Sequence, residues 1–185
     1  MFPFTVADVV RMGAPHARDR DIRDLVDGAL AELELSDLAD RQITTLSGGE
    51  QQRAHFARVL VQLAHGRQYG GGDILLLDEP TTGLDLRHQL CMMEAVSRRT
   101  RDGVLVVAVF HDLNLAALFA KRVIVLNHGR IDCDGRPDET ITDKMLKRVF
   151  GVVAAVGQAP APGVPFVLPQ NMTSVDNGAG QGSRL

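Results

Sequence analysis

Only two cysteines occur in the 185 residues, Cys91 and Cys133, and their spacing makes neither a disulfide framework nor a metal motif. Each reads as a small buried hydrophobe, and a reducing compartment is the expectation. No apolar run approaches the ~20 residues needed to span a bilayer. The opening stretch, MFPFTVADVV, has no basic region and no apolar core of a signal peptide, and Asp8 interrupts it. Positive charge is not in excess either. The formal net charge is −3, which gives no reason to expect nucleic acid or an anionic membrane as the main partner. The locally basic patch, Arg98, Arg99 and Arg101, reads as a solvated helix end. These absences leave a cytoplasmic chain that can still sit against a membrane partner.

What is present is enough apolar side chain for a core. Apolar residues make up 45% and charged residues 23%, the balance of a globular protein, and the length suits one domain or part of a larger one. Thr5 and Asp8 have capping-box spacing and open a short helix that Gly13 is expected to end. In DIRDLVDGALAELEL, Ile22, Leu25, Val26, Ala29, Leu30 and Leu33 share one face, the mark of an amphipathic helix. Residues 1–68 therefore read as a helical part, up to the glycine-rich break RQYGGGD. After it, DILLLDEP is a continuous apolar run of strand length ending in acids, which fits a strand buried on both faces of a parallel sheet. A helix is predicted over about 86–100 and a second buried strand over 104–110. Another helix follows over about 112–120, then a hairpin from RVIVLN and RIDCDG around His128-Gly129. A last helix, TDKMLKRVF, is predicted with Thr142 as its cap. Residues 69–156 thus form an α/β part. Residues 157–185 are rich in Pro, Gly, Ala and Ser and read as a partly disordered tail, disordered from about 170 onward.

One stretch is chemically unusual. In LSGGEQQRAHFARVL, residues 46–60, Ser47 and Glu50 again have S-x-x-E spacing, and an apolar helix of about four turns follows. Two glycines inside the box strip the first turn of side chains. A helix N-terminus carries partial positive charge and free N–H donors, which suits a phosphate. From this segment alone, a plain cap and an anion site stay equally open.

In order along the chain, LSGGEQQR, ILLLDEP, GLD and VFHD resemble the motif set of the ABC-transporter ATPases. Thirty-one positions separate Ser47 from Asp78, and thirty-three separate Asp78 from His111. The resemblance covers residues 1 to about 150. It implies an α/β fold, the C-terminal part of a P-loop NTPase domain: a helical subdomain (1–68) and the second half of the nucleotide-binding core (69–156), a partial parallel sheet with flanking helices. Within it, Asp78 would hold Mg²⁺ through water, Glu79 would be the catalytic carboxylate that polarises the attacking water, and His111 would bond the γ-phosphate. Gly83, Leu84 and Asp85 match the D-loop, which crosses to the partner subunit. Ser47, Gly48, Gly49 and Glu50 match the signature, whose helix points at ATP held by the other subunit. Glu50 stands where Gln is commoner. ATP and Mg²⁺ are the implied cofactors. The implied partners are a second ATPase subunit in a homodimer, transmembrane permease subunits and a periplasmic or surface substrate-binding protein, with no nucleic acid. The implied location is peripheral, on the cytoplasmic face of the membrane.

The phosphate-cradling pattern G-x-x-x-x-G-K-[ST] is missing: none of the three lysines, Lys121, Lys144 and Lys147, follows a glycine. The family's Q-loop glutamine is missing as well. The sequence reads as N-terminally truncated, and alone it is expected to be inactive, with apolar sheet faces exposed. Within the family, FPFTVADVVRMGAPH, LDLRHQ and GVPFVLPQ look most like the hemin-importer ATPases. Siderophore or cobalamin importers are the alternative. So is a non-catalytic partner that offers only its signature helix in trans. A DNA-repair or chromosome-organising ATPase would need flanking heptad coiled coils, which the sequence lacks.

Overall fold

The computed structural model describes residues 4–172. Its first part is three helices, α1 (Val6–Arg11), α2 (Asp19–Glu32) and α3 (Gly48–Gln68). The start of α1 follows from local chemistry. The Asp8 amide donates to the Thr5 hydroxyl at 3.1 Å, and the Thr5 amide donates back to the Asp8 carboxylate at 2.9 Å. Val6 and Val10 of α1, Ile22 and Leu30 of α2, and Leu60 and Val61 of α3 are buried together. Truncating a side chain such as Leu60 to Ala typically costs about 2–5 kcal/mol. At 21 residues α3 runs to nearly six turns, longer than its apolar pattern suggests, and stops at Tyr69 where the glycine run begins. α1 ends as expected at Gly13, the first residue past its C-cap Met12. The glycine also gives proximity: a Cβ at Gly13 would stand 2.3 Å from the Arg58 carbonyl oxygen, so only glycine lets the chain turn against α3.

The second part alternates. It comprises β1 (Ile74–Asp78), α4 (Leu86–Arg101), β2 (Leu105–Val109), α5 (Leu113–Phe119), β3 (Val123–Asn127) and β4 (Arg130–Gly135). Two short helices follow, α6 (Pro137–Thr140) and α7 (Asp143–Met145). β1 and β2 pair in parallel, in register from Ile74↔Leu105 to Asp78↔Val109. β3 and β4 form the expected antiparallel hairpin, with a register shift between Val125 and Leu126. His128 and Gly129 close it with φ of 48° and 73°, the doubly left-handed turn that matches strand twist. Thr142 does cap α7, accepting from the Met145 amide at 3.2 Å, but residues 146–150 continue as a π-helical turn. The tail folds back as far as Gln170, whose amide donates to the Asn114 carbonyl at 3.2 Å. The part of the predicted disordered tail over 173–185 lies outside the described residues.

Two expectations change. β1 and β2 are not buried on both faces. Leu75 is buried and Leu77 and Val106 are half-buried, facing Val59 and Leu63 of α3, while Ile74, Leu76, Leu105, Val107 and Val109 are exposed. Among the described residues, helices cover only one side of this ladder. Nor is the arginine patch a solvated helix end. Arg98 and Arg99 of α4 both grip Glu32 at the end of α2, Arg98 Nε at 2.9 Å and Arg99 Nη2 at 2.6 Å. That grip joins the helical part to the α/β part.

The Glu32 clasp is testable by pH. Burial pushes its carboxyl up, but hydrogen bonds and charge from Arg99 and Arg98 outweigh burial and hold it below the usual range. A depressed folded-state value means that the stabilisation is present above the ordinary glutamate value of 4.5 and is lost as pH falls through the folded one. Glu32→Gln is expected to destabilise the fold by roughly 1–2 kcal/mol at neutral pH and to converge on the parent in acid. Urea denaturation at neutral pH and through a descending pH series below 4.5 checks both.

Candidate functional site

The signature turn is built by a second capping box. The Ser47 amide and hydroxyl both donate to the Glu50 carboxylate, at 2.7 and 2.8 Å, and the Glu50 amide returns to Ser47 Oγ at 3.4 Å. These bonds to Ser47, side chain first and backbone second, hold the Glu50 carboxyl below its usual range. The box engages the amides of Ser47 and Glu50 and leaves out those of Gly48 and Gly49. Gly49 faces the turn 83–85: a Cβ there would lie 3.3 Å from Leu84 Cδ2 and 3.7 Å from the Gly83 carbonyl. Gln52, one turn along α3, donates to the Pro80 carbonyl at 2.8 Å. The signature turn therefore leans directly on the loop that joins β1 to α4.

That loop begins where β1 ends. Asp78 is the last residue of β1 and its side chain is exposed. Glu79 follows with φ of 45°, a left-handed conformation uncommon for a residue with a side chain. Its amide donates to the Val109 carbonyl at 3.1 Å, so the parallel ladder reaches one residue past the strand. The carboxylate is held at both oxygens. His111 Nε2 lies 2.5 Å from Oε1, and Thr82 Oγ1 donates to Oε2 at 3.2 Å. Farther on, Asp85 caps α4, accepting from the His88 amide at 2.9 Å, with His88 Nδ1 at 2.8 Å. The bond from the His88 amide is the main reason why the Asp85 carboxyl lies below its ordinary value.

Two groupings of the sequence-predicted residues emerge. Glu79 and His111 meet at the strand ends, with Asp78 beside them in the chain. Gly49 meets Gly83 and Leu84. Sequence reasoning passed over Thr82 and Gln52. A threonine three residues after an acid in a turn is a recognisable signal for the first. Nothing local announces the second. Among the described residues, no group of three or more His, Cys, Asp or Glu could hold a metal unaided. Exposed carboxylate oxygens at a strand end suit Mg²⁺, which keeps most of its ligands as water and phosphate oxygens.

Ser47→Ala is expected to cost about 1 kcal/mol through loss of the cap and to return the Glu50 carboxyl upward toward its ordinary value. Denaturant unfolding checks the first and an NMR titration of Glu50 the second.

With this geometry in place, the chain's relatives are informative. Residues 4–82 match the ABC transporter family. The chain is 51% identical over 176 residues to the hemin import ATP-binding protein of Rhodopseudomonas palustris strain BisA53, which covers 95% of this chain and 65% of that protein. It is 51% identical over 178 residues to the protein of the same description from Bradyrhizobium diazoefficiens, covering 96% of this chain and 66% of that protein. The chain thus spans just under two thirds of the length of these relatives. Among solved structures, it superimposes on an inward-facing ABC transporter of metal-chelate type with a TM-score of 0.69 and 27% identity, over 82% of this chain and 60% of that one. The fold is accordingly part of a P-loop NTPase domain of the ABC ATPase type. Motif order, strand-end geometry and relatives agree: over residues 4–82 this chain matches the ABC transporter family, and its fold is of the ABC ATPase type.

Proposed function

We propose that this chain carries the signature and hydrolytic residues of an ATPase subunit that energises hemin import. The observation that carries the hydrolytic part is the contact of 2.5 Å between Glu79 Oε1 and His111 Nε2 at the head of the parallel ladder. A carboxylate fixed at both oxygens is oriented to accept a proton from, or polarise, an attacking water. His111 Nε2 lies against the Glu79 carboxylate, and an arriving γ-phosphate oxygen would compete for that ring nitrogen. Asp78 would hold Mg²⁺ through water, and the ion would neutralise charge on the phosphates. Ser47, Gly48 and Gly49 would face ATP bound by a second copy, with Gly83, Leu84 and Asp85 alongside at the dimer interface. Hemin as the cargo is supported by the relatives' descriptions and by LDLRHQ and GVPFVLPQ. The remaining partners in this reading are permease subunits, which hold the subunit at the cytoplasmic face, and a substrate-binding protein.

Two variants, made in a chain that carries G-x-x-x-x-G-K-[ST], test this reading. Glu79→Gln is expected to keep ATP binding, trap a nucleotide-bound dimer and lower turnover by roughly 10²-fold or more. Wild-type turnover in that variant would remove Glu79 from the mechanism. Gly49→Asp sets a carboxylate and a Cβ where phosphate approaches. It should lower hydrolysis by roughly 10²-fold while monomer ATP binding is unchanged. Loss of monomer binding with turnover spared would leave Ser47–Glu50 as a helix cap alone. In vesicles containing the permease, ATP turnover should rise with hemin-loaded binding protein and not with a siderophore or cobalamin; the reverse would change the cargo.

A further inference from the structure

Glu34 takes no part in the proposed chemistry, yet the fold fixes it from two sides. It sits just past the end of α2 with φ of 55°, left-handed without being glycine. Beneath it lies Arg53 of α3, about 5% exposed, whose Nη1 donates to the Leu33 carbonyl at 2.8 Å and to the Glu34 carbonyl at 3.3 Å. A guanidinium buried under these two carbonyls holds the backbone turn in place. The Glu34 carboxylate then meets the start of α4: Arg87 Nη2 at 2.6 Å and His88 Nε2 at 3.8 Å. His88 in turn touches Asp85 through Nδ1 at 2.8 Å.

The turn 83–85 is therefore gripped from two directions. On one side Leu84 lies against Gly49 of the signature turn. On the other, Asp85 and the first turn of α4 are tied through His88 and Arg87 to Glu34, and through Arg53 back to α3, the same helix whose N-terminus is the signature. A closed loop of contacts thus fixes two segments more than thirty residues apart in sequence.

We infer that Glu34 is a positioning residue that sets the turn Gly83–Asp85 against the signature turn Ser47–Glu50, so that both meet nucleotide in one arrangement. The inference rests on the proposed function, in which those two segments share a dimer interface.

The test uses Glu34→Gly and Arg87→Gln in the full-length protein. Glycine accepts the left-handed backbone without strain, so Glu34→Gly removes the carboxylate and spares the fold. Amide exchange at Leu84 and His88 is expected to quicken about three-fold in either variant, the scale of an exposed ion pair, with α3 core amides unchanged. ATP turnover should show kcat lower by about three-fold or more with KM for ATP unmoved. The double variant should be no worse than either single, since both remove the same contact. Wild-type exchange and kcat in both singles, or additive losses in the double, would overturn the inference. So would faster exchange throughout α3, which would mark Glu34 as merely structural. If the parent protein shows no ATP turnover, the functional reading fails, and exchange at Leu84 and His88 still decides whether Glu34 positions the turn.

Discussion

Parallel pairing of β1 with β2 is the constraint from which the site follows. The two strands run in register to their last residues, Asp78 opposite Val109, and the Glu79 amide extends the ladder by one more bond. The chain therefore leaves both strands at the same level. Glu79 and His111, far apart in sequence, emerge side by side because each stands one or two residues beyond its strand. Ligands of open α/β sheets bind at this carboxyl end for the same reason. The ladder is itself seated by one face only, through Leu75, Leu77 and Val106 on the apolar side of α3.

The helix α3 carries two duties that share one geometry. Its apolar side holds α1 and α2 through Ala54, Ala57, Leu60 and Val61, and its polar N-terminus reaches the loop between β1 and α4 through Gly49 and Gln52. The two meanings of LSGGE that the sequence leaves open turn out to be compatible. The capping box saturates the Ser47 and Glu50 amides, which stiffens the first turn. The glycine amides between them lie outside that box and suit an anion. A formed cap is thus a precondition of an ordered anion-facing turn rather than its competitor.

What was legible in the sequence was local. Thr5 with Asp8 and Ser47 with Glu50 announce their helices because both partners lie within four residues. The hairpin is legible because His128-Gly129 supplies the turn. The strand-end acids are legible because an apolar run stops at Asp78. What was not legible is long-range. Arg98 and Arg99 look like solvent-facing cations until α4 is set beside the end of α2, where Glu32 waits between them. Gln52 on Pro80, and Arg53 on the carbonyls of Leu33 and Glu34, are bonds to backbone, which carries no sequence signature. The apolar runs of β1 and β2 suggested burial on both faces, whereas the expectation of exposed apolar sheet faces holds among the described residues. An apolar run reports what a strand is suited to bury, while the covering layer is supplied by other elements.

Under the proposed hydrolytic role of Glu79, its left-handed backbone sets chemistry against evolution toward robustness. A residue bearing a side chain stands where glycine or asparagine is at ease, and relaxing it would return about 1 kcal/mol to the folded state. A library sorted only for heat resistance would drift to those residues at this position and discard the carboxylate in the process. The persistence of glutamate there, in any lineage derived from this chain, would report selection for turnover rather than for durability.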